Sequence, residues 1–156
     1  MRRTFATITL LALLSGCASD ALVGAWRSQV QFSSGDFANV KDLEFLYVFN
    51  RGGTLTESSN YDGAPPVPPA YGAWRALDAR HFEAVYWFYS TKPPEKLDQL
   101  SQGWTPAGHG ELTERLELAQ NRKSFESTIN LRMFDGAGHP LPGSAEGVGH
   151  ANRIDF

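Results

Sequence analysis

The sequence predicts an all-β fold: a small antiparallel β-barrel of about eight strands with one short helix. Three observations carry this. Short apolar or alternating runs recur between turn signals along the 156 residues, the pattern of a sandwich or barrel. The composition, Gly 15, Pro 9 and 12% aromatic residues, is turn-rich and β-like, and no long stretch shows a 3.6-residue apolar period. The stretch from Tyr71 to Thr91 then gathers Tyr71, Trp74, Phe82, Tyr86, Trp87, Phe88 and Tyr89 into one hairpin broken at Leu77-Asp78-Ala79-Arg80. An isolated hairpin is marginal in water, so the rest of the chain must supply the wall those rings need. A closed sheet supplies it.

The chain opens MRRTFATITLLALLSGCAS: two arginines, an uncharged run from Phe5 to Leu14, then Leu14-Ser15-Gly16-Cys17. The apolar run falls well short of the roughly 20 residues a membrane-spanning helix needs, and it reads as a secretory signal. Leu14 to Cys17 resembles the lipobox of bacterial lipoproteins. That resemblance implies cleavage before Cys17, lipid on Cys17, and, with Ala18 rather than Asp following, an outer-membrane, periplasm-facing address. The expected organisation is a signal peptide over 1–16, a lipid anchor and short linker over 17–21, and a single barrel domain over 22–156. Cys17 is the only cysteine, so no internal disulfide forms and packing must provide the stability. Losing Arg2 and Arg3 takes the formal net charge from −3 to −5, which argues against nucleic acid as a partner.

Strands are expected at Gly24 to Phe32, Leu43 to Asn50, Gly53 to Ser58, Tyr71 to Leu77, His81 to Thr91, Gly110 to Ala119, Ser124 to Phe134 and Val148 to Phe156. The tight connections are Asn50-Arg51-Gly52-Gly53, Gln120-Asn121-Arg122-Lys123 and Asp135-Gly136-Ala137-Gly138, whose Gly and Asn tolerate positive φ. Two connections are longer. Asp62 to Ala70 (DGAPPVPPA) carries prolines that remove backbone donors, so it is a stiff loop, either folded over a barrel end or docking a partner. Lys92 to Gly103 places Leu97 and Leu100 at helical spacing between Pro93-Pro94 and Gly103, and predicts the short helix. Gly24-Ala25-Trp26-Arg27 recurs as Gly72-Ala73-Trp74-Arg75, and Gly53-Thr54-Leu55-Thr56-Glu57 is answered by Gly110-Glu111-Leu112-Thr113-Glu114. This echo suggests two similar half-sheets.

Gly24-x-Trp26 at the head of the first strand resembles the G-x-W motif of the lipocalins and the wider calycin group, small barrels that hold apolar ligands. The resemblance implies that Gly24 and Trp26 close one barrel end under a late arginine, for which Arg153 is the match and Arg132 the second candidate. The family's Thr-Asp-Tyr motif is absent, and the expected helix lies mid-chain.

Alternation places Leu112, Glu114, Leu116 and Leu118 on one face of the sixth strand, and the echo gives Leu55 and Glu57 the same relation. Two carboxylates therefore point toward one interior. Burying an ionised carboxylate is costly, so each should be paired, hydrogen-bonded or protonated. Either they are structural, paired to an arginine such as Arg75 or wet at the barrel mouth, or they orient a ligand or act as an acid/base pair. Glu83 and Glu126 should face outward. Tyr47, Glu57, Trp74, Phe82, Tyr86, Phe88 and Glu114 are the candidate ligand-contacting residues. Trp87 and Tyr89 fall on the opposite face of the fifth strand. His81, His109, His139 and His150 have no metal-ligand spacing, and no cofactor, phosphate-loop or nucleophile motif is present, so no cofactor or catalytic residue is expected. The leading expectation is a lipid-anchored envelope protein with a small apolar ligand in its barrel. The alternatives are a barrel enzyme of isomerase or cyclase type using Glu57 or Glu114 with a tyrosine as acid/base groups, and a non-enzymatic envelope adaptor that meets a protein partner.

Overall fold

In a computed structural model the chain closes into a barrel of eight antiparallel strands joined in sequence order, β1-β2-β3-β4-β5-β6-β7-β8, with β8 returning to β1. The structure describes residues 20–61, 67–94, 96, 98 and 103–156. The strands are β1 (Gly24–Phe32), β2 (Leu43–Phe49), β3 (Thr54–Ser59), β4 (Ala70–Ala76), β5 (His81–Lys92), β6 (Thr105–Leu118), β7 (Ser124–Asp135) and β8 (Pro140–Arg153). The expected signal segment, residues 17–19 of the expected anchor and linker, and residues 62–66 of the proline loop lie outside the described residues, as do residues 95, 97 and 99–102 of the expected helix. The helical element that is described is a single 3-10 turn, Asp36–Asn39, in the β1–β2 connection.

Each strand alternates because one face is inside. Trp26, Ser28, Val30 and Phe32 of β1 are buried, and so are Leu43, Phe45, Tyr47 and Phe49 of β2, with exposed residues between them. Small residues on β8, Ala145, Gly147, Gly149 and Ala151, line the same interior and leave room for the rings of β1 and β2. The expected turns hold the strands. Gly52 and Gly53 adopt φ of 96° and 88° between β2 and β3, and Arg122 adopts 58° between β6 and β7. At the β4–β5 turn Asp78 Oδ1 accepts the amides of Arg80 and His81.

Two strands depart from expectation. β6 begins at Thr105 and β8 at Pro140, both earlier than alternation suggests. Residues 140–144 are exposed, so no buried face imposes a period there, and Pro140 stands at the first strand position, where a missing donor is tolerated. The echo also has a different meaning from two similar half-sheets. Its members lie three strands apart in an up-and-down barrel, so β1 and β4 run in opposite directions, as do β3 and β6. What the echo preserves is the facing of side chains: Trp26 and Trp74 are buried, while Arg27 and Arg75 point out to Glu44 and Glu83.

Candidate functional site

The barrel interior divides into three levels. The first is a floor at the Gly24 end. Trp26 is fully buried; its Nε1 donates to the Leu22 carbonyl at 2.9 Å, and its ring lies 5.0 Å from that of Phe125. The Arg153 guanidinium sits 4.1 Å from the Trp26 ring centroid. It donates to the backbone carbonyls of Val23 at 2.8 Å, Ala21 at 2.7 Å and Arg122 at 3.0 Å. One cation thus stacks on the indole and ties the incoming chain to the β6–β7 turn. Ala21, in the expected linker, is part of this packed floor. Phe49, Trp74 and Phe82 extend it: Trp74 lies 5.9 Å from each of the other two rings, and its Nε1 donates to the carbonyls of Asn50 and Thr54 at 3.1 Å.

The middle level is a buried polar cluster. Tyr47 from β2 and Tyr86 from β5 donate their hydroxyls to the same carboxylate oxygen, Glu114 Oε2 on β6, at 3.0 and 2.9 Å, and the two hydroxyls are 3.2 Å apart. All three residues are inaccessible to solvent. Glu114 Oε1 and the Ser127 hydroxyl lack a hydrogen-bond partner of good geometry, although Ser127 is near enough to act on the carboxyl's acidity. Burial raises the Glu114 pKa, and the hydroxyls of Ser127, Tyr86 and Tyr47 draw it part of the way back. Burial also raises both phenols well above their ordinary value, reinforced by the charges of Glu114 and Glu57. Since the phenol protons both serve Oε2, a proton on Glu114 belongs on Oε1.

The upper level, at the Phe32 end, is open. A cavity of about 210 Å³ is lined by Phe32, Phe37, Leu43, Phe45, Glu57, Ser59, Tyr61, Val67, Phe88, Tyr89, Ser90, Thr91, Leu112, Leu131 and Met133. Phe37 comes from the 3-10 turn, and Tyr61 and Val67 flank the proline loop, so the β1–β2 connection and the proline loop both border the opening. Glu57, directly across the β2–β3 ladder from Tyr47, supplies the one carboxylate among the described lining residues. The Thr91 hydroxyl oxygen is buried without a hydrogen-bond partner. Ligand pockets are mostly apolar with a few placed polar groups, and this lining has that character.

The seven candidate ligand residues are thereby distributed. Glu57 and Phe88 line the cavity; Tyr47, Tyr86 and Glu114 form the level beneath it; Trp74 and Phe82 belong to the floor. Arg75 is not the partner of either inward glutamate, because it points outward and bonds Glu83 at 2.5 Å. Arg132, the second candidate for the floor, is also on the outside, paired with Glu111. Glu126 is exposed and meets His150. Trp87 lies outside, where it stacks on His109, which in turn stacks on Phe134. Tyr89, 69% exposed, reaches the cavity rim beside the register shift at Ser90/Thr91. Sequence reasoning missed Phe45, although the Leu43-x-Phe45-x-Tyr47 alternation marks it as inward. It also missed Phe37, for which a loop offers no periodic signal.

No family model matches the chain, and no curated protein matches it. Among solved structures it is similar to that of EF1p2_mFAP2b bound to DFHBI, at 10% identity and a TM-score of 0.54, over 90% of this chain and 99% of that one. At that identity the likeness concerns the barrel fold.

Proposed function

We propose that this chain is a lipid-anchored envelope protein of lipocalin-like build that carries a small, mainly apolar ligand in the open end of its barrel. The observation that supports the reading is the asymmetry of the interior. The Trp26 end is filled with rings and closed by Arg153, whereas the Phe32 end keeps a cavity of about 210 Å³ whose described lining is mainly apolar and includes the Glu57 carboxylate. A barrel of eight strands is just wide enough to hold one small ligand. The solved barrel similar to this one is described as bound to DFHBI, which accords with a ligand-holding role. The lipid anchor rests on Leu14 to Cys17, and the outer-membrane, periplasm-facing address rests on Ala18 after the cysteine.

The enzyme reading has less support. Glu114 is sealed beneath Tyr47 and Tyr86 and does not line the cavity, so the two carboxylates do not face one substrate position. Native mass spectrometry of protein taken from its own envelope tests both halves of the proposal. The expected result is a lipid-modified Cys17 and a second mass released by solvent extraction. A Cys17→Ser protein that stays membrane-bound would reject the anchor, and repeated absence of a second mass would reject the carrier role.

A further inference from the structure

Apolar side chains are unevenly spread over the outside of the barrel. Six large ones are exposed on one side: Leu46 and Val48 of β2, Tyr71 of β4, and Val85, Trp87 and Tyr89 of β5. They form one surface, because the ladder runs Val48↔Thr56↔Tyr71↔Trp87. Leu46 follows Val48 on the outer face of β2, and Val85 and Tyr89 stand on either side of Trp87. The carboxylates that border this surface are paired, Glu44 with Arg27 and Glu83 with Arg75. Elsewhere the wall is more polar among the described residues. β1, β6 and β7 expose side chains such as Gln29, Arg115 and Glu126, and β8 exposes Leu141 and Val148 well apart along the strand. A contiguous exposed apolar patch marks a surface that meets another body.

Where the chain enters the barrel identifies that body. Asp20 is held at the β2–β3 turn by Arg51, with Oδ1 3.2 Å from Nε, and its carbonyl accepts the Val23 amide. The residues before Asp20 therefore join the floor beside β2, at the edge of the apolar face. Cys17 stands three residues earlier in the sequence, a reach of at most about 10 Å. We infer that the Leu46–Trp87 face docks on the lipid bilayer in which Cys17 is anchored. The inference rests on the anchor reading given above. A lipid tether restrains distance and leaves orientation free, so a second contact is needed to fix the barrel on the surface. Tyr71, 62% exposed, and Trp87, 53% exposed, suit that contact, since their amphipathic rings settle at headgroup level while valine and leucine reach the acyl boundary. Stacking of Trp87 on His109 already restricts the indole, so docking costs it less freedom. With its bordering carboxylates paired, the face calls for no anionic lipid. Tyr89 belongs both to the face and to the cavity lining, so docking brings the cavity rim to the headgroup layer.

The test is tryptophan quenching by lipid, on protein purified from its own envelope and reconstituted on phosphatidylcholine vesicles whose acyl chains carry bromine near the headgroup. The expected result is partial quenching that high salt leaves unchanged and that Trp87→Phe removes, since Trp26 and Trp74 are buried. A Val48→Asp, Tyr71→Asp double variant, both positions being exposed, should keep its native near-UV circular dichroism, stay on the vesicles by its lipid, and lose the quenching. Absence of quenching in vesicle-bound wild type, or quenching that Trp87→Phe leaves intact and Trp104→Phe removes, overturns the inference while the anchor reading stands. A stable dimer in detergent that the double variant dissociates would assign the face to a second copy of this chain and also overturns it. Mass spectrometry of the same sample reads the anchor separately: a chain without lipid on Cys17 overturns the anchor reading and this inference together.

Discussion

The guanidinium of Arg153, on the last strand, lies 4.1 Å from the ring of Trp26, on the first strand, and the same two residues are direct partners across the β1–β8 ladder. The pair therefore lies on the seam where the sheet closes into a barrel, and it plugs the floor. Trp26→Ala removes a fully buried indole and should cost about 3 to 5 kcal/mol. Arg153→Ala forfeits the stacking and strands the carbonyls of Ala21, Val23 and Arg122, for about 2 to 3 kcal/mol. Urea unfolding measures both, and a wild-type midpoint in either variant contradicts the role assigned to this pair.

Tyr47 and Tyr86 share a single acceptor, so their effects should not add. Tyr47→Phe and Tyr86→Phe each remove one hydroxyl from Glu114 Oε2, and removing both leaves that buried oxygen with neither phenol. A double-mutant cycle should return a coupling of about 0.5 to 3 kcal/mol. Additivity within about 0.3 kcal/mol would mean that the two phenols act independently.

Glu114 makes stability depend on pH. Its carboxyl has an ordinary value of 4.5 and burial raises it in the fold, against partial opposition from Ser127, Tyr86 and Tyr47. Between the two values the folded chain holds a proton that the unfolded chain has released. The contribution is full below about pH 4.5 and is lost as pH rises through the folded value. Glu114→Gln cannot ionise, so its stability relative to wild type should improve as pH rises above about 4.5, until the folded value is passed. A constant difference across that range would show that the Glu114 pKa is the same folded and unfolded.

Gly72 of β4 faces Tyr86 across the ladder at a distance that admits no side chain. A Cβ there would stand 2.1 Å from the Val85 carbonyl oxygen and 2.5 Å from Tyr86 Cβ. Gly72→Ala should therefore destabilise by about 1 to 3 kcal/mol or more and displace the Tyr86 hydroxyl from Glu114. A shift in the near-ultraviolet tyrosine signal would accompany the loss, and an unperturbed spectrum with unchanged stability would contradict the close approach.

The sequence makes the barrel and the floor legible, and the cavity only in part. Glu114 and Glu57 are placed inward by the alternation of Leu112, Leu116, Leu118 and Leu55 around them, because a buried face fixes the period of a strand. Trp26 and Arg153 are paired by family resemblance, and the structure brings them into contact. The level of a residue along the barrel axis is a different matter. It depends on strand register, which side-chain alternation leaves open, and so Trp74 and Phe82 look like ligand residues although the Asn50–Gly53 hairpin draws Trp74 down to the floor. Phe37 reaches the cavity from a 3-10 turn where no periodicity applies, and the early start of β8 at Pro140 is masked by residues that read as a turn.

Ligands should enter at the Phe32 end while the Trp26 end stays packed. Methyl-resolved NMR during titration with an apolar single-ring probe such as toluene tests it most directly. The predicted result is saturable shifts at Leu43, Leu112, Leu131 and Met133, which line the cavity, with Leu22, Leu118 and Ala151 of the buried core unchanged. Shifts centred on Leu22, Leu118 and Ala151, or no saturable shift at any of these methyls, would contradict it.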